Sequence, residues 1–132
     1  YATLLRGTVE AMLPHYDVYI TDWIDARTVP VVQGSFDLDD YVDYVMDFLR
    51  HLGPGSSVMA VCQPSVPVMA AVALMNAAKD PASPDTMILM GGPIDTRRNP
   101  TAVNRLAKEK GVEWFRSNVI MAVPAPHAGM MR

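Results

Sequence analysis

SVMAVCQPSVPVMAAVALMNAAK, residues 57–79, is the stretch on which the fold turns. Ser57–Cys62 is short, apolar and rich in valine, which predicts a strand buried on both faces. Pro64 and Pro67 interrupt it, and proline is tolerated in the first turn of a helix. Val66–Lys79 is dense in alanine, methionine and valine and almost free of charge, which predicts an interior helix. Strand, tight junction and buried helix in that order form the first half of a parallel β–α–β unit.

The same alternation extends outward. Leu38–Leu52 is the clearest amphipathic helix, with Leu38, Tyr41, Val42, Val45, Phe48, Leu49 and Leu52 on its apolar face. Acidic residues crowd its start, Arg50 and His51 lie at its end, and Gly53 and Pro54 stop it. Upstream, Tyr1–Leu13 reads as a helix halted by Pro14, and Asp17–Trp23 as a β-branched, aromatic strand. Downstream, Thr86–Met90 reads as another buried strand, ended by Gly91, Gly92 and Pro93. Asn99 then resembles an N-cap with Pro100 in the first helical position, and Gly111 closes that helix after Lys110. Val112–Ile120 is open between helix and irregular segment, and the tail from Val123 reads as loop. The resulting expectation is an α/β fold: a parallel sheet with helices on both faces. Residues 1–132 are expected to form one partial domain, since the chain opens inside a helical pattern and closes in a loop, as if cut at both ends.

Bulk properties narrow the function. Half the residues are hydrophobic and 19% are charged, a globular composition. A net charge of −3 with scattered basic residues argues against a nucleic-acid partner. No apolar run reaches the length of a membrane span, and no secretory leader pattern is present. A lone cysteine allows neither an internal disulfide nor a cysteine-rich zinc site, which suits a cytoplasmic setting.

In parallel sheets, function gathers at the carboxyl ends of the strands. That rule directs attention to Asp22–Asp25, Cys62–Ser65 and Gly91–Asp95. Cys62, between a strand and a helix, occupies the place of the nucleophile in an α/β-hydrolase elbow. A helix N-terminus favours an anionic thiolate there, and the backbone N–H of Gln63 is the expected oxyanion donor. Small residues usually flank such an elbow two positions either side; Ala60 satisfies this and Pro64 departs from it. A buried structural cysteine is the competing reading, and the Ser65 hydroxyl is a neighbouring candidate that falls inside the helix turn.

Four blocks carry a resemblance. They are VCQPSVPVMAAVALM (Val61–Met75), YATLLRGTVEAMLPHYDVYITDWIDARTVPVVQGSFDLDDYVDYV (Tyr1–Val45), MGGPIDTRRNPTAVNRLA (Met90–Ala107) and EWFRSNVI (Glu113–Ile120). Together, collinear and spanning most of the chain, they resemble intracellular polyhydroxyalkanoate (polyhydroxybutyrate) depolymerases of the α/β-hydrolase superfamily. The resemblance implies a cysteine nucleophile at Cys62 that cleaves the ester bonds of stored polyester at a cytoplasmic granule, without a cofactor or metal. It also implies a general base and an orienting carboxylate beyond Arg132, and a donor loop before Tyr1.

Within the chain, Asp95 follows a strand and is a candidate triad acid, against the plainer role of capping the turn through Thr96–Pro100. His127 is the only histidine after Cys62, against the plainer reading of a loop residue. His15 and His51 read as structural. The acidic set Asp37, Asp39, Asp40, Asp43 and Asp47 lacks the layout of a calcium loop and reads as a capped, solvated helix. Asp22 and Asp25 flank Trp23 as rim or loop residues, Arg97 and Arg98 read as a solvated turn, and the ten methionines as core filler. Two alternatives stay open: a polyhydroxyalkanoate synthase-like acyltransferase, whose elbow typically keeps glycine, and an inactive granule-binding homologue.

Overall fold

A computed structural model describes residues 5–122 and 130–131. The chain divides into two compact units, one of residues 34–114 and one of 1–33 with 115–132. Among the described residues are four α-helices, two single 3-10 turns and two small sheets.

Residues 34–114 hold the β–α–β unit. Strand β1 (Ser57–Val61) pairs in parallel with β2 (Thr86–Met90), from Ser57 opposite Thr86 to Val61 opposite Met90. Helix α3 (Ser65–Ala77) joins them and packs on both. Helix α2 (Leu38–Leu52) precedes β1 and packs on α3. The core follows from two stripes. Val42, Val45 and Leu49 recur at helical spacing on α2, and Val68, Ala71, Val72 and Met75 on α3; Ala60 and Ala82 complete the cluster. Ala71 and Met75 are almost wholly buried.

The ends of α2 are chemically explicit. The Asp37 carboxylate accepts from the N–H groups of Asp39 (2.9 Å) and Asp40 (3.2 Å), while Asp40 accepts from the Asp37 N–H at 2.8 Å. This reciprocal box satisfies the open donors of the first turn, an arrangement worth ~1 kcal/mol. At the other end Gly53, at φ 84°, donates to the Leu49 carbonyl at 2.9 Å. Arg50 Nε donates to Asp80 Oδ2 at 2.8 Å, and Asp80 Oδ1 accepts from the Ala82 N–H at 2.9 Å. Arg50 first and Ala82 second hold the Asp80 carboxyl below its ordinary range. The Asp37 and Asp40 carboxylates therefore serve the helix start, and Asp47 adds a contact to Arg50 at 3.3 Å.

Helix α4 (Ala102–Asn118) begins two residues later than Asn99 promised. Asn99 adopts a left-handed backbone, and Thr101 with Asn104 forms the cap instead: the Thr101 N–H donates to Asn104 Oδ1 at 2.9 Å and the Asn104 N–H to Thr101 Oγ1 at 3.3 Å. Gly111, at φ 71° and ψ 170°, breaks the helix where closure was expected, and helix resumes to Asn118.

The other unit contributes α1 (Arg6–Met12) and the antiparallel pair β3 (Met121–Ala122) with β4 (Met130–Met131). The expected helix 1–13 is thus shorter, and residues 1–4 lie outside the described ones.

Two expectations need correction, and the expected α/β fold is met in part. Asp17–Trp23 forms no strand, and Tyr19 is 73% exposed. β-Propensity reports fit to a packed sheet rather than an intrinsic preference, and β1 and β2 pair only with each other. The sheet among the described residues has two strands, with α3 on it, rather than an extended sheet clad by helices on both faces. For that reason neither strand is buried on both faces: Met59 of β1 is 36% exposed, and Met87, Ile88 and Met90 of β2 are 37%, 41% and 44% exposed.

Because Leu49 closes the α2–α3 core, Leu49→Ala is expected to cost about 2–5 kcal/mol in urea unfolding of the full-length protein. Leu52→Ala, at an exposed position of the same helix, is expected to cost much less.

Candidate functional site

The junction from β1 to α3 is a backbone reversal centred on Cys62. Its φ is 67°, in the left-handed region, where a non-glycine residue costs about 1–3 kcal/mol unless its neighbours impose it. They do so from both sides. The Cys62 N–H donates to the Met90 carbonyl at 2.8 Å, which carries the β1–β2 ladder one residue past the strand. The Cys62 carbonyl accepts from the Ser65 N–H at 3.0 Å, which closes the turn. Pro64, at φ −56° and ψ −16°, is already helical, as its ring dictates.

The amide groups of this reversal can be accounted for one by one. Ser65 donates to Cys62, Val66 to Gln63 at 3.1 Å, and Val68 to Pro64 at 3.1 Å. Pro64 and Pro67 have no N–H to offer. Among the described residues the Gln63 N–H alone in this run has no acceptor, and Gln63 is exposed. Cys62 is exposed too. Ser65, the other candidate, is fully buried, with its Oγ 3.5 Å from the Ala60 carbonyl. Burial removes Ser65 from competition as a nucleophile.

The loop after β2 lies against the elbow. Gly91 takes φ 65°. Gly92 approaches so closely that a Cβ there would overlap Ser65 Cβ and Oγ and stand 2.8 Å from the Cys62 carbonyl oxygen. Nothing in the local sequence pattern announces this contact, although both segments sit at the carboxyl end of one parallel sheet, where such a meeting is to be expected.

Beyond the glycines, residues 91–96 with Arg98, Asn99, Thr101 and Asn104 wall an open hollow of about 360 Å³. Cys62 is not among its walls. Asp95 is, but both of its oxygens are engaged: Arg97 Nε reaches Oδ1 at 2.8 Å, Arg97 Nη2 reaches Oδ2 at 3.0 Å, and the Arg97 N–H reaches Oδ1 at 3.1 Å. The Arg97 side chain first, then its N–H, holds the Asp95 carboxyl below its ordinary range. Arg97 is thus a partner of Asp95 rather than a purely solvated turn residue. His127 lies outside the described residues. His15 is exposed and meets the Tyr16 ring edge-on at 6.5 Å; His51 is exposed at the end of α2. Among the described residues no group of three or more histidine, cysteine or acidic side chains is placed to hold a metal. No described helix is long and apolar enough to cross a membrane.

Residues 91–132 match the family described as PHB de-polymerase C-terminus. The match starts at Gly91, directly after β2, and leaves the Cys62 elbow outside it. About a third of the chain is thus similar to the C-terminal part of PHB depolymerases. Comparison with curated proteins and with solved structures found no match.

The Asp95–Arg97 pair has a pH signature. A carboxyl whose folded pKa is depressed stabilises its turn above the ordinary carboxylate pKa of ~3.9 and loses that contribution as pH falls through the lower folded value. Carbon-detected titration of Asp95 should therefore show a midpoint below that of a free aspartate, and Arg97→Ala should raise it part of the way, because the N–H of residue 97 still donates to Asp95.

Proposed function

We propose that this chain is the nucleophile-bearing part of an α/β-hydrolase that cleaves stored polyhydroxyalkanoate at a cytoplasmic granule through a cysteine acyl-enzyme. One observation carries the reading: an exposed cysteine held at a left-handed strand-to-helix elbow, followed by an uncommitted backbone donor. Such an elbow lifts a nucleophile clear of the sheet.

The chemistry is acyl transfer to sulfur. Cys62 Sγ, as the thiolate, attacks the ester carbonyl and forms a C–S bond. The carbonyl oxygen becomes an oxyanion, and the Gln63 N–H is the donor available beside it. Collapse breaks the ester C–O bond, and the hydroxyl-terminated chain leaves with a proton from a general acid. Water then attacks the thioester and releases the acid end. The reaction calls for no cofactor.

A histidine and an orienting carboxylate complete the set. By the resemblance they are expected beyond Arg132; within the chain the candidates are His127 and Asp95. For Asp95 to orient a histidine, it must exchange at least one of its Arg97 contacts.

The match of residues 91–132 favours hydrolysis over the synthase-like alternative. The two differ in substrate, since a synthase consumes a coenzyme A thioester and a depolymerase consumes polymer and water.

The test uses the full-length gene product, amorphous polyhydroxybutyrate granules and no coenzyme A. Wild type is expected to release 3-hydroxybutyrate or its oligomers, and Cys62→Ala is expected to lose at least about a thousandfold in rate. Equal release by both proteins removes Cys62 as the nucleophile. No release by either, with turnover of hydroxybutyryl-coenzyme A instead, moves the protein to the synthase class.

A further inference from the structure

The left-handed backbone at Cys62 has to be held, and the residues that hold it are not confined to the elbow. On one side is the hydrogen bond from the Cys62 N–H to Met90, the last residue of β2. On the other, the Cys62 carbonyl accepts from the Ser65 N–H, and a Cβ at Gly92 would stand 2.8 Å from its oxygen. Ser65 is fully buried and fills the space between Ala60 and Gly92, so it has nowhere to retreat. The constraint at Gly92 is steric rather than conformational. Its φ lies outside the left-handed region, and what excludes a side chain is the absence of room for a Cβ.

We propose that Gly92 and Ser65 are a positioning pair for Cys62: the zero-clearance contact between them locks the Cys62–Ser65 turn, and so fixes where the thiol and the Gln63 N–H stand. Neither touches substrate. The inference rests on Cys62 as the nucleophile for its catalytic consequence, but not for its structural one. It extends the functional unit into the segment matched by the depolymerase family, because Gly92 is the second residue of that match.

A Cβ at position 92 must push Ser65, Cys62 or both by several tenths of an ångström or more, because the overlap is with helix-borne and backbone atoms. Displacements of about 1 Å at reacting groups cost on the order of a hundredfold in rate. Gly92→Ala is therefore expected to lower kcat on polyhydroxybutyrate by about tenfold to a hundredfold, with KM little changed. The Cys62 amide, protected in wild type by Met90, is expected to exchange hydrogen faster in the variant. Ser65→Gly in the Gly92→Ala background removes the two closest of the three overlapping atoms, leaving the Cys62 carbonyl oxygen, and is expected to recover part of kcat and of the exchange protection.

That rescue separates positioning from general loss of fold, which a second small residue in a helix would worsen. If Gly92→Ala does not accumulate as folded protein, Ser65→Thr, which adds a methyl from the other side of the same contact, is scored in the same way. Wild-type kcat and wild-type exchange at Cys62 in the folded variant overturn the proposal. So does a loss that Ser65→Gly leaves unrelieved. If Cys62→Ala keeps its activity while the exchange changes appear as expected, the nucleophile reading falls and the lock on the elbow stands.

Discussion

Parallel pairing between β1 and β2 is the constraint from which the rest of the larger unit follows. A parallel pair cannot be closed by a tight hairpin, so the chain must leave β1, cross by a helix and return. The ladder reaches one residue beyond β1, through the Cys62 N–H to Met90, and the chain turns away there. The site of that turn is thus set by where hydrogen bonding to β2 ends. The turn is abrupt enough to force a non-glycine residue into the left-handed region, and this places an exposed sulfur at the sheet's carboxyl edge.

The core is arranged in series. Helix α2 packs on α3, and α3 packs on the sheet. α3 carries two loads: its buried stripe receives Val42, Val45 and Leu49 from α2, and its first turn holds the elbow. Most of its inward residues are small or branched, which lets α2 approach along Ala71 while Met75 fills the far end. The Arg50–Asp80 bridge ties the end of α2 to the segment leading into β2, so the far end of the crossover is anchored to α2.

What could be read from the chain depended on how local its causes are. Helix α2 was legible to the residue, because its periodicity, its Asp37 and Asp40 box and its Gly53 stop are all written within it. The order of β1, elbow and α3 was legible for the same reason, as was the break at Gly111. Strand formation at Asp17–Trp23 was not, because a strand exists only with a partner. The burial of β2 was not, because an apolar run says that a residue can be covered, never that something covers it. The place of Cys62 and Gln63 at the strand-to-helix junction was legible from position alone. The burial of Ser65, the grip of Arg97 on Asp95 and the contact of Gly92 depend on segments distant in sequence or on the way a turn closes. The shift of the α4 cap from Asn99 to Thr101 is a local competition, won by the residue whose side chain and that of Asn104 satisfy each other.

The two prolines at the head of α3 have an effect on the surrounding solution. Phosphate and sulfate are gathered at helix starts and in peptide nests by several convergent amides at once. Here Pro64 and Pro67 delete two amides, the turn itself consumes those of Ser65, Val66 and Val68, and Gln63 is left as a solitary donor. One amide is too few to retain a multiply charged inorganic ion against its own hydration. An anion arriving at this elbow would therefore meet one open amide rather than the several that a peptide nest offers.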